Sequence, residues 1–319
     1  MSSGRKPRPA HEPVAGATGL RAGLVLASYR RHFAVRLDDG ELIECVLRGR
    51  SLTLACGDHV QVSLMQGGGA IEAVAPRSTL FYRSDAFHEK LIAANVTQVI
   101  GVVAPDVAVD EELLTRWGVA AEAQRCRFVI VVNKADLPGH APLLQRLAAF
   151  AAMGYPVVSL AATRDVAALV PCIAGQRSVL IGQSGMGKST ILNGLAPEAA
   201  ARTGEVSRSL HAGRHTTTHS TLHPLPDAIG GWIVDSPGLK AFGLAHVDPD
   251  DIADAFPEFR PARGQCRFRD CRHDREPSCA FQATVARGDA APYRLNLLRT
   301  LVAESTASRA PQTAATRHR

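Results

Sequence analysis

Hydrophobic and polar positions change rhythm twice along this 319-residue chain. From Arg21 to about Pro76, apolar residues fall in short alternating runs broken by turns. Gly23–Ala27, Phe33–Leu37, Leu42–Leu47, His59–Leu64 and Ala70–Val74 read as five strands, with Asp38-Asp39-Gly40 and Gly67-Gly68-Gly69 as hairpin-type turns. Five short strands in so few residues predict a small barrel, most simply an oligonucleotide-binding fold (OB-fold). An SH3-like barrel would give much the same pattern, and periodicity alone leaves both open.

From Val96 the apolar runs become continuous, as in strands buried on both faces of a parallel sheet: Val96–Val103, Phe128–Val132, Val157–Leu160, Ser178–Ile181 and Trp232–Asp235. Between them Glu111–Gln124, Leu143–Met153 and Thr190–Leu195 carry helical spacing. This alternation predicts an α/β doubly wound domain. A Cys/His-rich segment follows, then a helix from Pro292 to about Glu304. The expected division is a disordered tail over 1–18, a barrel over 19–85, an α/β domain over 90–245, a small C-terminal domain over 246–305 and a second disordered tail over 306–319.

Composition narrows the class. The chain is 46% hydrophobic and 21% charged, ordinary for a soluble globular protein. A net charge of +6 favours a polyanionic partner. Arg5, Lys6 and Arg8 are not followed by an apolar stretch, so no secretory signal is read, and no apolar run is long enough to span a membrane. Cys45, Cys56, Cys126 and Cys172 are scattered in apolar surroundings and read as buried free thiols of a reducing, cytoplasmic setting.

The chemistry lies in three motifs and their order. Gly182-Gln183-Ser184-Gly185-Met186-Gly187-Lys188-Ser189 stands between a β-rich run and the helical pattern that opens with Thr190. Its glycines let backbone amides wrap phosphates at a helix N-terminus. Lys188 would reach the β- and γ-phosphates as a catalytic group, and the Ser189 hydroxyl would ligate Mg²⁺. A phosphate loop does not separate ATP from GTP, but Asn133-Lys134-Ala135-Asp136 does. The Asp136 carboxylate can accept from the guanine ring N–H and exocyclic amine, and Lys134 can lay its stem along the base. Ser159-Leu160-Ala161, after the next strand, is a candidate for the loop behind the base, though a plain strand end fits too.

Asp235-Ser236-Pro237-Gly238 reads as the second switch, with Asp235 holding a Mg²⁺-bound water and the Gly238 amide sensing the γ-phosphate. Leu239 follows, where many GTPases place a water-orienting Gln. Either another group orients the water or turnover is slow until a partner supplies one, and the candidate within the chain lies in Gly213-Arg214-His215-Thr216-Thr217-Thr218-His219. His215 would orient the attacking water, unless it is a solvent-facing loop histidine. Thr217 or Thr218 would complete the Mg²⁺ shell, and spacing does not choose between them. In ordinary GTPases the phosphate loop comes first and the guanine motif near the end. Here the guanine motif leads, so the domain is read as circularly permuted.

Cys266, Cys271, His273 and Cys279 supply three thiolates and an imidazole within fourteen residues, a closed set that predicts one structural Zn²⁺. Arg260, Arg263, Arg267, Arg269, Arg272 and Arg275 surround it and read as a phosphate-backbone contact. In the barrel, Tyr29, Arg30, Arg31, Phe33, Arg48 and Arg50 suit base stacking plus backbone charge, or equally core aromatics with surface arginines.

Over about residues 20–300 the chain resembles the ribosome small subunit-dependent GTPase A family (RsgA, also called YjeQ or YloQ). The likeness rests on the barrel, the permuted motif order, Gly213–Thr218, Asp235-Ser236-Pro237-Gly238-Leu239 and the Cys266, Cys271, His273, Cys279 spacing. It implies an OB-fold barrel, a circularly permuted P-loop GTPase domain and a small C-terminal zinc-binding domain. It further implies a cytoplasmic GTP hydrolase, using GTP/GDP and Mg²⁺, in late maturation of the small ribosomal subunit. On that likeness the partners are the subunit and its 16S rRNA, the subunit stimulates turnover, and His215 is catalytic. No dimerisation pattern is visible, so a monomer is expected. Two other readings fit less well: a permuted GTPase of the large subunit, and an RNA-binding scaffold with merely structural nucleotide.

Overall fold

A computed structural model describes residues 19–29, 32–48, 52–84, 89–197, 220–236, 242–244 and 247–309. The five alternating runs form β1 (Arg21–Tyr29), β2 (His32–Leu37), β3 (Leu42–Leu47), β4 (His59–Met65) and β5 (Gly68–Val74). They follow the order β1-β2-β3-β5-β4, and β4 pairs back onto β1 to close a barrel. Pairing is parallel between β3 and β5 and antiparallel elsewhere in the ring. This is the strand order of an OB-fold, which decides between the two barrels the periodicity allowed. Val25, Val35, Leu37, Val60, Val62 and Ile71 are among the residues of its separate core. Tyr29 and Phe33 are also buried, so the base-stacking role considered for them is corrected: burial of their rings stabilises the barrel rather than a bound base. Arg48 is engaged with Glu72 at 2.6 Å, whereas Arg30, Arg31 and Arg50 lie outside the described residues.

A hairpin follows, β6 (Leu80–Ser84) with β7 (Glu89–Ala94), and leads into the α/β domain. Its strands are β8 (Gln98–Val103), β9 (Arg127–Val132), β10 (Val157–Ser159), β11 (Arg177–Ile181), β12 (Thr221–Pro224) and β13 (Trp232–Asp235). The order β10-β9-β8-β11-β13 is parallel throughout, and β12 joins the edge antiparallel. Every residue of β8 is buried, as a strand covered on both faces requires.

Helix α1 (Glu111–Ala123) is started by Asp110, whose carboxylate accepts from the Glu112 and Leu113 amides, with Glu111 and Glu112 favourable in the first turn. Gly101 of β8 admits Trp117 of α1, since a Cβ there would lie 2.9 Å from the indole. The helix expected over Leu143–Met153 is instead two short ones, α2 (His140–Arg146) and α3 (Ala148–Ala152), meeting at buried Leu147. The Leu147 amide is shared between the Leu143 and Leu144 carbonyls, a tightening that ends the first helix. Short α4 (Val170–Ile173) precedes β11, and α5 (Lys188–Leu195) follows it.

The barrel continues the α/β sheet through β1 and β12, where Ala27 pairs with Thr221. Close by, the Cys56 thiol donates to the Ser220 carbonyl at 3.0 Å. The C-terminal segment contributes α6 (Pro249–Asp254), a 3-10 turn over Pro257–Ala262, α7 (Ala280–Ala286) and α8 (Pro292–Arg309). It shares one core with the α/β domain, including Phe256, Phe259, Leu298 and Leu301. At that seam Arg294 forms a buried ion pair with Glu258 and donates to Thr115 Oγ1 of α1 at 2.9 Å. Helix α8 runs five residues past the expected end at Glu304. The Ser305 hydroxyl donates to the Val247 carbonyl at 2.5 Å and Arg309 pairs with Asp248 at 2.5 Å, so tertiary ties extend a segment whose composition suggests a tail.

Candidate nucleotide and metal sites

The motifs stand at the carboxyl ends of parallel strands, where open α/β sheets bind ligands. Asn133 follows β9, Ser159 ends β10, Gly182 follows β11 and Asp235 ends β13. Gly182, Gln183, Ser184, Gly185, Met186 and Gly187 lead into α5, whose first turn carries Lys188, Ser189 and Thr190. Gly185 and Gly187 sit at φ of +83° and +89°, a region that L side chains rarely enter. His215, Thr217, Thr218 and Gly238 lie outside the described residues.

One buried side chain joins the motifs. Asn133 Nδ2 donates to the Met186 carbonyl of the phosphate loop at 3.0 Å. Its Oδ1 accepts from the Ala162 amide at 3.0 Å, in the loop after β10. The Ala135 amide donates to the Leu160 carbonyl at 3.1 Å, a second tie to that loop. Leu160 itself is buried, while Asp136 and Ser159 are exposed to meet a ligand. Ser159 Oγ lies 3.0 Å from His140 Nε2, a neighbour the sequence did not suggest.

Lys188 Nζ donates to the Gly182 and Gln183 carbonyls at 2.8 and 3.0 Å, which points it across the phosphate loop. Burial pushes the Lys188 ammonium down from its ordinary range, opposed by the Asp235 charge. Burial pushes Asp235 up, opposed by Lys188 and by the Ser236 amide. An anionic nucleotide with Mg²⁺ would relieve both strains, by returning a counter-charge to each group. Next to Asp235, buried Ser220 and Ser236 share a hydroxyl–hydroxyl bond of 3.0 Å, tying β12 to the start of the second switch. Ser236 belongs to the switch motif, but its partner Ser220 carries no mark in the sequence, because nothing local signals a bond between residues sixteen apart.

The ligand atoms of Cys266, Cys271, His273 and Cys279 all lie within 4.8 Å of one another. His273 Nδ1 is 3.6 Å from Cys266 Sγ and 3.4 Å from Cys279 Sγ, and the two sulfurs are 4.0 Å apart. A tetrahedral ion with bonds of about 2.1–2.3 Å needs edges of roughly 3.5–3.8 Å, so this donor set fits Zn²⁺. The imidazole is held by stacking on Phe281 at 3.9 Å, and Phe281 stacks on Phe259 at 5.0 Å. The basic residues around it divide. Arg260 is tied across the seam to Glu122 of α1 at 2.5 Å, and Arg263 to Asp254 within the C-terminal segment at 2.9 Å, so acids of the fold rather than phosphates engage both. Arg267, Arg269 and Arg272 make no ion pair among the described residues, and Arg267 lies over the exposed Phe268 ring at 5.5 Å.

With this geometry in view, comparison decides the family. The description of the RsgA GTPase family matches residues 74–245. This chain belongs to that family. As an RsgA-family GTPase it hydrolyses GTP, and its fold is a circularly permuted GTPase domain behind an N-terminal barrel. A small ribosomal subunit biogenesis GTPase RsgA of Nitrosospira multiformis is 45% identical over 291 residues, covering 91% of this chain and 92% of that protein. The namesake of Nitrosomonas europaea is 46% identical over 271 residues, covering 83% of this chain and 86% of its own. Among solved structures, YjeQ from Thermotoga maritima is 28% identical with a TM-score of 0.66, covering 90% of this chain and 99% of its own. YloQ, described as a circularly permuted GTPase, shares the fold at a TM-score of 0.66 and 22% identity, covering 91% of this chain and 96% of its own. No helix among the described residues is long and apolar enough to cross a membrane.

Proposed function

We propose that this GTPase is a molecular switch in late maturation of the small ribosomal subunit, acting in the cytoplasm as a monomer and contacting 16S rRNA. The observation that carries the nucleotide part is Asn133, which bonds the phosphate loop and the loop behind the base at once. The partner is supported by the relatives' names at 45% and 46% identity.

In this reading Asp136 accepts from the guanine N–H groups, Lys134 covers the base, and Ser159 with Leu160 closes the loop behind it. Amides from Gln183 to Thr190 cradle the phosphates, and Lys188 leaves the Gly182 and Gln183 carbonyls for the β- and γ-phosphates. Ser189, either Thr217 or Thr218 and, through a bound water, Asp235 would hold Mg²⁺, whose chemistry is to neutralise phosphate charge. The Gly238 amide senses the γ-phosphate, and His215 orients the attacking water in place of the Gln that Leu239 replaces. Cys266, Cys271, His273 and Cys279 would hold Zn²⁺, whose chemistry is structural. Arg267, Arg269 and Arg272 offer free cations to RNA phosphates beside it.

The exit of the second switch suggests how nucleotide state travels. Phe242 packs on Phe81 of the β6–β7 hairpin at 4.7 Å, and the Gly243 amide donates to the Tyr82 carbonyl at 2.8 Å. Movement of the switch would therefore act on the hairpin that joins barrel to GTPase domain. Sedimentation with small subunits tests this: binding is expected to be tighter with a non-hydrolysable GTP analogue than with GDP, and equal binding would defeat the switch.

A further inference from the structure

Lys134 does not stand alone. Its Nζ donates to Asp106 Oδ2 at 2.6 Å, across 28 residues of sequence. Asp106 belongs to no nucleotide motif read from the chain. It sits in the loop after β8, turned by a bond from the Val107 amide to the Ala104 carbonyl at 3.3 Å. That loop reaches both halves of the nucleotide site. A Cβ on Gly139, just beyond the guanine motif, would contact Pro105 at 3.5 Å, and a Cβ on Gly185 of the phosphate loop would contact Val107 at 3.8 Å. The Asp106 carboxylate therefore borders the gap between base motif and phosphates.

Lys134 itself adopts φ of +60°, in the left-handed region where a lysine is uncommon and where functional residues collect. The backbone aims the side chain and the carboxylate fixes its end. A lysine carries its charge on a flexible four-carbon stem, so a partly exposed ammonium without a partner samples many rotamers. Here the two side chains keep 27% and 42% of their exposure, enough to leave the stem accessible to a base.

From this we infer that Asp106 is a positioning residue of guanine recognition, anchoring the Lys134 ammonium so that its stem is already laid out along the base plane before nucleotide enters. The inference rests on the reading that Lys134 covers the base. The benefit is preorganisation: the ordering of Lys134 is complete before binding and does not weaken it. Because GTP and GDP share the same base, the anchored stem would act on affinity and leave the chemical step alone.

The test is a double-mutant cycle on the full chain, titrated with GDP and separately with guanosine. Asp106→Ala is expected to raise both dissociation constants about tenfold, within the range that contacting pairs show. Asp106→Glu should recover most of that loss. At saturating GTP the Asp106→Ala turnover number should stay within about twofold of the parent while KM rises. In a Lys134→Ala background, Asp106→Ala should have no further effect, since its action runs through that ammonium. Unchanged or tighter GDP binding by Asp106→Ala, or an equal loss with and without Lys134, would overturn the inference. Undiminished GDP binding by Lys134→Ala alone would instead overturn the base-covering role on which it rests.

Discussion

A Cβ placed on Gly187 would lie 2.2 Å from Nδ2 of Asn133. The guanine motif and the phosphate loop are thus fitted to each other with no spare volume, although 53 residues separate Asn133 from the Met186 carbonyl that it bonds. Asn133→Ala removes a donor and an acceptor from a buried place and leaves the Met186 carbonyl and Ala162 amide unpaired. The cost is about 1–3 kcal/mol for each buried group. The expected result is a lower Tm and guanine-nucleotide affinity reduced by at least about a hundredfold, measured by thermal unfolding and by titration with GDP. Gly187→Ala should lose phosphate binding as well, because φ of +89° and the clash act together.

Asp235 yields a prediction in which function and stability diverge. Burial pushes its carboxyl above the ordinary aspartate range. A folded-state pKa above the unfolded one gives stability that is present at low pH and lost as pH rises through the folded pKa. At pH 7.5 the ionised group therefore weighs against the empty protein. Asp235→Asn is expected to raise the Tm of the nucleotide-free protein by a few degrees, the scale that about 1 kcal/mol carries in a protein of this size. The same variant should lose Mg²⁺-dependent GTP turnover. A fall in Tm would show that pairing with Lys188 outweighs burial.

Metal removal separates the two sites. The Cys266, Cys271, His273, Cys279 cage lies in the C-terminal segment, whose Phe281 and Phe259 reach the shared core. Stripping Zn²⁺ with a chelator should release one ion per chain and lower the Tm by several degrees, since metal binding is folding free energy for such a loop. GDP affinity should change less than about threefold, because no nucleotide contact runs through the cage. Cys279→Ser should reproduce both effects, with zinc content measured by elemental analysis.

The seam between α1 and the C-terminal segment can be weighed in the same way. Arg294 also lies over the Phe256 and Phe150 rings at 5.3 and 5.6 Å, so its planar guanidinium packs against two aromatic faces. Arg294→Ala leaves Glu258 buried without a partner, at an expected cost of about 3–5 kcal/mol. Replacing both residues by apolar ones, Arg294→Met with Glu258→Leu, should recover most of that in denaturant unfolding. A small loss for the single variant would mean that water reaches Glu258.

What the sequence made legible follows from where the information lies. The barrel strands and the buried parallel strands announce themselves by alternation and by continuous apolar runs, and the permutation follows from motif order. Strand β12 does not announce itself: Thr221–Pro224 is four residues long with a proline at its end, and it is a strand because β13 and β1 flank it. The β6–β7 hairpin lacks a glycine turn signal between its strands and went unread. Within the sites, ligand types and spacings marked the phosphate loop, the guanine motif and the metal cage. Long-range partners left no mark. Asp106 beside Lys134, Ser220 beside Ser236 and Glu122 beside Arg260 are pairs that only the folded chain brings together. The arginines show the same limit, since the sequence places six near the cage and the fold sets three of them, Arg260, Arg263 and Arg275, beside acids.

In the function proposed above, this GTPase takes its activating signal from the small ribosomal subunit. The most direct measurement is GTP turnover by the purified full chain, alone and with small or large subunits at one fixed salt concentration, since rRNA binding is salt-dependent. Slow turnover alone, strong stimulation by small subunits and none by large ones are expected. Equal stimulation by both, or by neither, would contradict that function.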